Sequence, residues 1–130
     1  MAGLPYVRSF RELVVYRKQR KLALDLFRAS QRFPVEERYT LQAQLRRAAL
    51  SAATNIVEGS ARRTTREYLN FCNIASGSAT EARYLADVSR RLGYLPELEA
   101  EELVTAYTEL SAKLQALIAS VASNTEAKQP

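Results

Sequence analysis

The chain has 130 residues, of which 47% are apolar and 25% charged, with a formal net charge of +5, no histidine and one cysteine. That length suits one domain burying roughly two-thirds of its unfolded surface, and the average composition excludes wholesale disorder. Without histidine the commonest general base and transition-metal ligand are missing, and one cysteine allows neither thiolate metal sites nor an internal disulfide.

Four helices are predicted in chain order. The first runs from Ser9 or Phe10 to Gln31, stopped by Pro34, which disfavours helix before it and lacks an amide donor. At about 100° per residue its apolar side chains form two stripes. Phe10, Leu13, Val14, Leu24 and Phe27 make one; Val15, Leu22, Leu26 and Ala29 lie roughly opposite. A surface helix of a monomeric bundle needs one stripe, so Val15, Leu22 and Leu26 are expected at a contact between copies of the chain.

The second helix is expected from Glu36 to Glu58, with Gly59 as its stop. Leu41, Leu45, Ala48, Ala49, Ala52 and Ile56 form its core stripe, and Leu50 and Val57, off that stripe, join the expected subunit contact. Thr64-Thr65-Arg66-Glu67 is a capping-box pattern opening a third helix that reaches Leu92 and ends at Gly93. Gly77, a helix-weakening residue in its middle, suggests another backbone passing close. The fourth helix follows Pro96, is rich in Glu at its first turns where the dipole favours negative charge, and is expected to end near Ser123 in a loose tail over 123–130. Residues 1–8 are expected to be a short flexible lead-in. Short connections favour a single domain over 1–130: an all-α, antiparallel up-down-up-down four-helix bundle.

The longest uncharged stretch, Tyr68 to Thr80, has 13 residues, short of the roughly 20 apolar residues that span a bilayer. No secretory signal pattern opens the chain. A cytoplasmic location is the expectation, with no membrane partner and with Cys72 as a small core residue.

No pattern for catalysis emerges. Gly-rich phosphate loops are absent, serines have no histidine partner, and no Glu-x-x-His metal pair can exist. No cofactor is expected, and the chain reads as a non-enzyme. Two polar features stand out instead. Gln44, Arg47, Ser51, Asn55, Glu58 and Arg62 fall within about 80° of one another on the second helix, with Ser78 and Glu81 of the third as partners; this stripe reads as a structural network fixing helix register. The second feature is basic. Residues 1–65 carry 13 basic and 5 acidic side chains, residues 66–130 carry 6 and 9. Arg17, Lys18, Arg20 and Lys21 crowd the first helix, Arg46 sits on the second, and Arg62, Arg63 and Arg66 surround the turn into the third. These are the candidate contacts to RNA or DNA, made through phosphates and sensitive to salt. The alternative is that they pair with the acidic fourth helix of a neighbour in a protein-interaction adaptor.

The string QLRRAALSAATNIVEGSARR resembles the signature of a bacterial four-helix bundle family encoded in intervening sequences of large-subunit ribosomal RNA genes, related to the accessory variability determinant of diversity-generating retroelements. FRELVVYRKQRKLALDLF, FPVEERYTLQAQLRRA, REYLNFCNIASGSATEA and RLGYL fit in order, over about Phe10 to Leu117. Ala52 departs from the pattern, which has a larger β-branched residue there. The resemblance implies a ring-like homopentamer of antiparallel bundles and, for the retroelement relatives, a basic surface contacting nucleic acid and a reverse transcriptase.

Overall fold

A computed structural model describes residues 9–128; the expected lead-in over 1–8 lies outside them. Helix α1 spans Phe10–Ser30, α2 Leu41–Ser60, α3 Thr65–Arg91 and α4 Glu97–Lys128, with a short 3₁₀ turn at Val35–Glu37. Each helix packs on its two neighbours in a ring of four, and the α2–α3 seam is the most extensive. This is the four-helix bundle that the periodicities imply.

Local chemistry sets most of the boundaries. The Ser9 hydroxyl accepts from the Glu12 amide at 3.1 Å and caps α1. The Thr64 hydroxyl does the same for the Glu67 amide, opening α3. At the end of α3, Gly93 adopts φ +79°. Its amide reaches the Arg90 carbonyl while the Tyr94 amide reaches Ser89, a Schellman closure that needs glycine for its left-handed backbone.

The structure corrects four expectations about helix bounds and glycines. The second helix begins at Leu41, not Glu36, because the Tyr94 hydroxyl donates to Glu37 at 2.8 Å and Thr40 also bonds its carboxylate. A tertiary contact thus holds that segment as a turn. Gly59 lies inside α2 and does not stop it. A Cβ there would meet the Phe71 Cβ at 2.9 Å, so its role is close approach of α3. At Gly77 a Cβ would meet nothing within 4 Å, so no backbone of this chain passes close. Finally, α4 continues past Ser123 to Lys128.

The largest correction concerns α1. Val15, Leu22 and Leu26, expected between subunits, are buried in the chain's own core. The inward face reads Glu12, Val15, Gln19, Leu22, Leu26 and Ala29, all buried, alternating steps of three and four as a bundle seam requires. Glu12 and Gln19 are polar, and they break the stripe in the sequence so that the true core face looks like the minor one. Burying a leucine such as Leu26 contributes roughly 1.5–3 kcal/mol, which favours this facing. Phe10 (78% exposed) and Leu24 (48%), assigned to the core-facing stripe, point to the surface.

The α2–α3 seam is built from small residues. Ala48, Ala49 and Ala52 face Cys72, Ala75, Ala79 and Ala82, all fully buried. None of the helices in the described residues is long and apolar enough to cross a membrane.

Candidate functional site

The antiparallel hairpin of α1 and α2 sorts the predicted basic residues by height. The Arg46 guanidinium donates to the Ser30 hydroxyl at 2.8 Å and to the Phe27 carbonyl at 3.1 Å, with its carbon 4.9 Å from the Phe27 ring centre. Arg46 therefore satisfies the end of α1. Counting back along the hairpin from this pairing, Arg17 and Lys18 lie toward the end of the bundle that carries the 61–64 turn, and Arg20 and Lys21 lie nearer the middle. All four are exposed. Lys21 pairs with Asp25 at 2.8 Å, and the Arg20 guanidinium rests 5.4 Å from the Tyr16 ring centre.

The turn itself is arginine-rich. Arg62 lies over the Phe71 ring at 4.8 Å and donates to the Glu58 carbonyl at 3.3 Å, with the Glu58 carboxylate 4.0 Å away. Arg63 and Arg66 are exposed and form no ion pair with a described residue. Two further cations belong to this end and were not singled out in the sequence. Arg11 at the start of α1 and Lys113 on α4 line one groove with Phe10, Val14, Val15 and Ala116. Residues 102 positions apart carry no common sequence signal; only the fold joins them.

At the opposite end, where α1 leads to α2 and α3 to α4, most of the arginines are paired, although Arg38 is exposed and forms no ion pair with a described residue. Arg32 pairs with Glu99. Arg90 bridges Asp87 at 2.9 Å and Glu97 at 2.7 Å, and Arg91 holds the other Asp87 oxygen at 3.0 Å. The Arg91 and Arg90 hydrogen bonds hold the Asp87 carboxyl below its ordinary range. Hydrogen bonds from Thr40 and Tyr94 do the same for Glu37, and the Glu37 contact in turn raises the Tyr94 phenol.

The polar stripe on α2 is knitted to α3. Arg47 donates to Glu81 at 3.0 Å, and the Ser51 and Ser78 hydroxyls share a hydrogen bond of 2.8 Å. The Asn55 amide donates to the Ser51 carbonyl at 2.8 Å, and Gln44 is exposed. This network closes the seam over its alanines. Of the expected interface residues, Leu50 is 49% exposed and Val57 half-buried.

A buried polar set went unread in the sequence. Glu12 and Gln19 are fully buried on α1. Burial raises the Tyr68 phenol, helped by the Glu12 carboxyl beside it. The Gln19 amide and Tyr107 hydroxyl find no hydrogen-bond partner among the described residues. The same residues contain no cluster of carboxylates and cysteine suited to a metal.

Comparison with known proteins places this geometry in context. A family model described as 23S rRNA-intervening sequence protein matches residues 11–116. Among solved structures, the chain is similar to a protein of unknown function from the S23 ribosomal protein family of Bacteroides thetaiotaomicron. The two are 23% identical with a TM-score of 0.77, over 84% of this chain and 98% of that one. That likeness shows the shared fold. A search of curated proteins finds no match.

Proposed function

The chain belongs to the 23S rRNA-intervening sequence protein family, and on that premise we propose that it is a non-catalytic, cytoplasmic scaffold that binds nucleic acid through phosphate contacts at its basic end. The observation that carries this reading is the segregation of free cations. Arg11, Arg17, Lys18, Arg63, Arg66 and Lys113 are exposed toward one end of the bundle and form no ion pair with a described residue. At the opposite end Arg32, Arg90 and Arg91 are each held by carboxylates, with exposed Arg38 the exception. A polyanion is the partner whose charge this end complements.

Filter binding of RNA and DNA over a salt series tests the proposal. Retention is expected at ~50 mM salt, falling steeply as salt rises. No retention at the low-salt point would count decisively against it.

The scaffold is also proposed to be a homo-oligomer, with the pentamer of the resembling family as the expected form. With Val15, Leu22 and Leu26 in the core, the support shifts to Leu24 and Leu50. Each is about half exposed (48% and 49%), and they lie level across the α1–α2 hairpin. Light scattering should show an assembly that the paired change Leu24→Glu/Leu50→Glu dissolves into folded monomers; a monomeric wild type would refute it. The relation to retroelement accessory proteins, with a reverse transcriptase as partner, belongs to this proposal and is supported by the NIVEG and GSATE strings at 55–59 and 77–81. Co-purification of a reverse transcriptase encoded beside the gene is the outcome that would bear it out, and absence of any such neighbour would argue for an adaptor binding only protein.

A further inference from the structure

We propose that the outer face of α3 is a track for single-stranded nucleic acid; the inference rests on the nucleic-acid reading above and names the partner's form. Arg66, Asn70, Asn73, Gly77, Thr80 and Tyr84 fall within about 80° of one another on α3, and all six are exposed. They stand opposite the buried face of Cys72, Ala75, Ala79 and Ala82. The row is about 27 Å long at about 1.5 Å per residue, and its first member adjoins the arginines of the 61–64 turn.

Two surface depressions follow the row end to end. Arg66, Glu67, Asn70 and Asn73 line the first. Gly77, Thr80 and Tyr84 line the second, which extends to Val104 and Thr108 of α4. The row carries no carboxylate. Of the acids beside the second depression, Glu81 is bound by Arg47 and Asp87 by Arg90 and Arg91. The row itself offers one cation, two amides, a hydroxyl, an exposed phenol ring that is 66% accessible, and a bare stretch of helix backbone, with Glu67 and Arg83 beside it in the two depressions.

These groups match unpaired nucleotides. Asparagine amides pair with the Watson–Crick edges of splayed bases, a tyrosine ring offers a face for stacking, and arginine takes phosphate. Gly77 fits the same account. Packing within the chain does not require it, since a Cβ there would meet nothing within 4 Å, and its absence lets a strand approach the helix backbone. A duplex fits poorly. The major groove of a DNA duplex, about 12 Å wide, admits one helix, and that of an RNA duplex is narrower still, whereas α3 is flanked by α2 and α4, which at ordinary packing distances of about 8–10 Å would collide with the groove walls.

The test is fluorescence anisotropy with the full chain, using a labelled single-stranded RNA of about 20 nucleotides and its duplex at low salt. The wild type should bind the single strand at least about tenfold more tightly than the duplex. The triple change Asn70→Ala/Asn73→Ala/Tyr84→Ala, and separately Gly77→Gln, should weaken the single-strand complex about tenfold or more, with melting followed by circular dichroism to confirm the fold. Arg62→Glu/Arg63→Glu serves as the comparator for the basic end. If both row variants bind like wild type while the comparator loses binding, the track is wrong and the basic-end reading stands. Equal affinity for single strand and duplex also overturns the track. A wild type that binds neither RNA overturns both.

Discussion

Where α3 turns into α4, Arg90 and Arg91 grip Asp87 and Glu97, and Arg32 reaches Glu99 from the α1 side. At the other end of the bundle, the turn from α2 to α3 carries Arg62, Arg63 and Arg66, with the Glu58 carboxylate 4.0 Å from Arg62. The contrast shows how a modest net charge becomes a site. The closed end pairs Arg32, Arg90 and Arg91 across two connections, with Arg38 the exception, whereas most cations of the open end form no ion pair with a described residue. Residue counts by sequence half conceal this, because an up-down-up-down chain visits each end repeatedly.

The comparison breaks most directly by exchanging what each end is asked to do. Arg62→Glu/Arg63→Glu/Arg66→Glu should lower RNA affinity by more than about a hundredfold at low salt, since each lost phosphate contact removes its own counterion release. Its melting temperature should stay close to wild type. Arg32→Glu/Arg90→Glu/Arg91→Glu should behave inversely, melting lower while retaining most RNA binding. If both triple variants lose binding equally, net charge alone governs the interaction and the two ends are not functionally distinct.

A smaller effect separates the ends by packing. Gly59 anchors α2 against α3 just before the arginine turn, and Gly59→Ala should destabilise the fold by about 1–3 kcal/mol, because a Cβ set 2.9 Å from another Cβ forces backbone movement. Gly77→Ala, at an open position, should instead stabilise by up to about 1 kcal/mol. Urea titration of the two variants reads both signs. A neutral Gly59→Ala would mean that the basic end is looser than the structure shows.

The sequence made the fold legible because the apolar periods, the caps at Thr64 and Gly93, and the break after Pro34 are local signals. It misled on the orientation of α1. Glu12 and Gln19 occupy core positions, and a reader who sorts stripes by hydrophobicity turns the helix around. Tertiary pressure decided that orientation: Val15, Leu22, Leu26 and Ala29 together outweigh two buried polar groups, and Tyr68 lies beside Glu12. The candidate site was half legible. The arginines of the turn were visible as a run, whereas Arg46 read as a free cation because its partners, the Phe27 carbonyl and Ser30 hydroxyl, lie across the hairpin. Arg11 and Lys113 were invisible for the converse reason, since folding brings together residues that nothing in the sequence links.

Acid sharpens the contrast by the smallest effect. Glu37 and Asp87 have carboxyls held below their ordinary values of 4.5 and 3.8 by the hydrogen bonds of the closed end. A folded-state value below the unfolded one means stabilisation fully present above the ordinary range, lost as pH falls through the depressed values. Between about pH 5 and pH 2, the Glu37–Tyr94 and Asp87–Arg90–Arg91 contacts should therefore weaken. Amide exchange at Tyr94 and Leu95 should accelerate relative to neutral pH after correction for intrinsic rates. The 61–64 turn itself holds no carboxylate, so its protection should change less. The Tyr94 phenol gives the opposite sign. Its value is raised by Glu37, so its contribution persists below the ordinary value of 10.0 and fades as pH rises through the raised one. Equal acceleration at both ends in acid would show that the bundle opens as one unit, and the closed end would then have no separate electrostatic clasp.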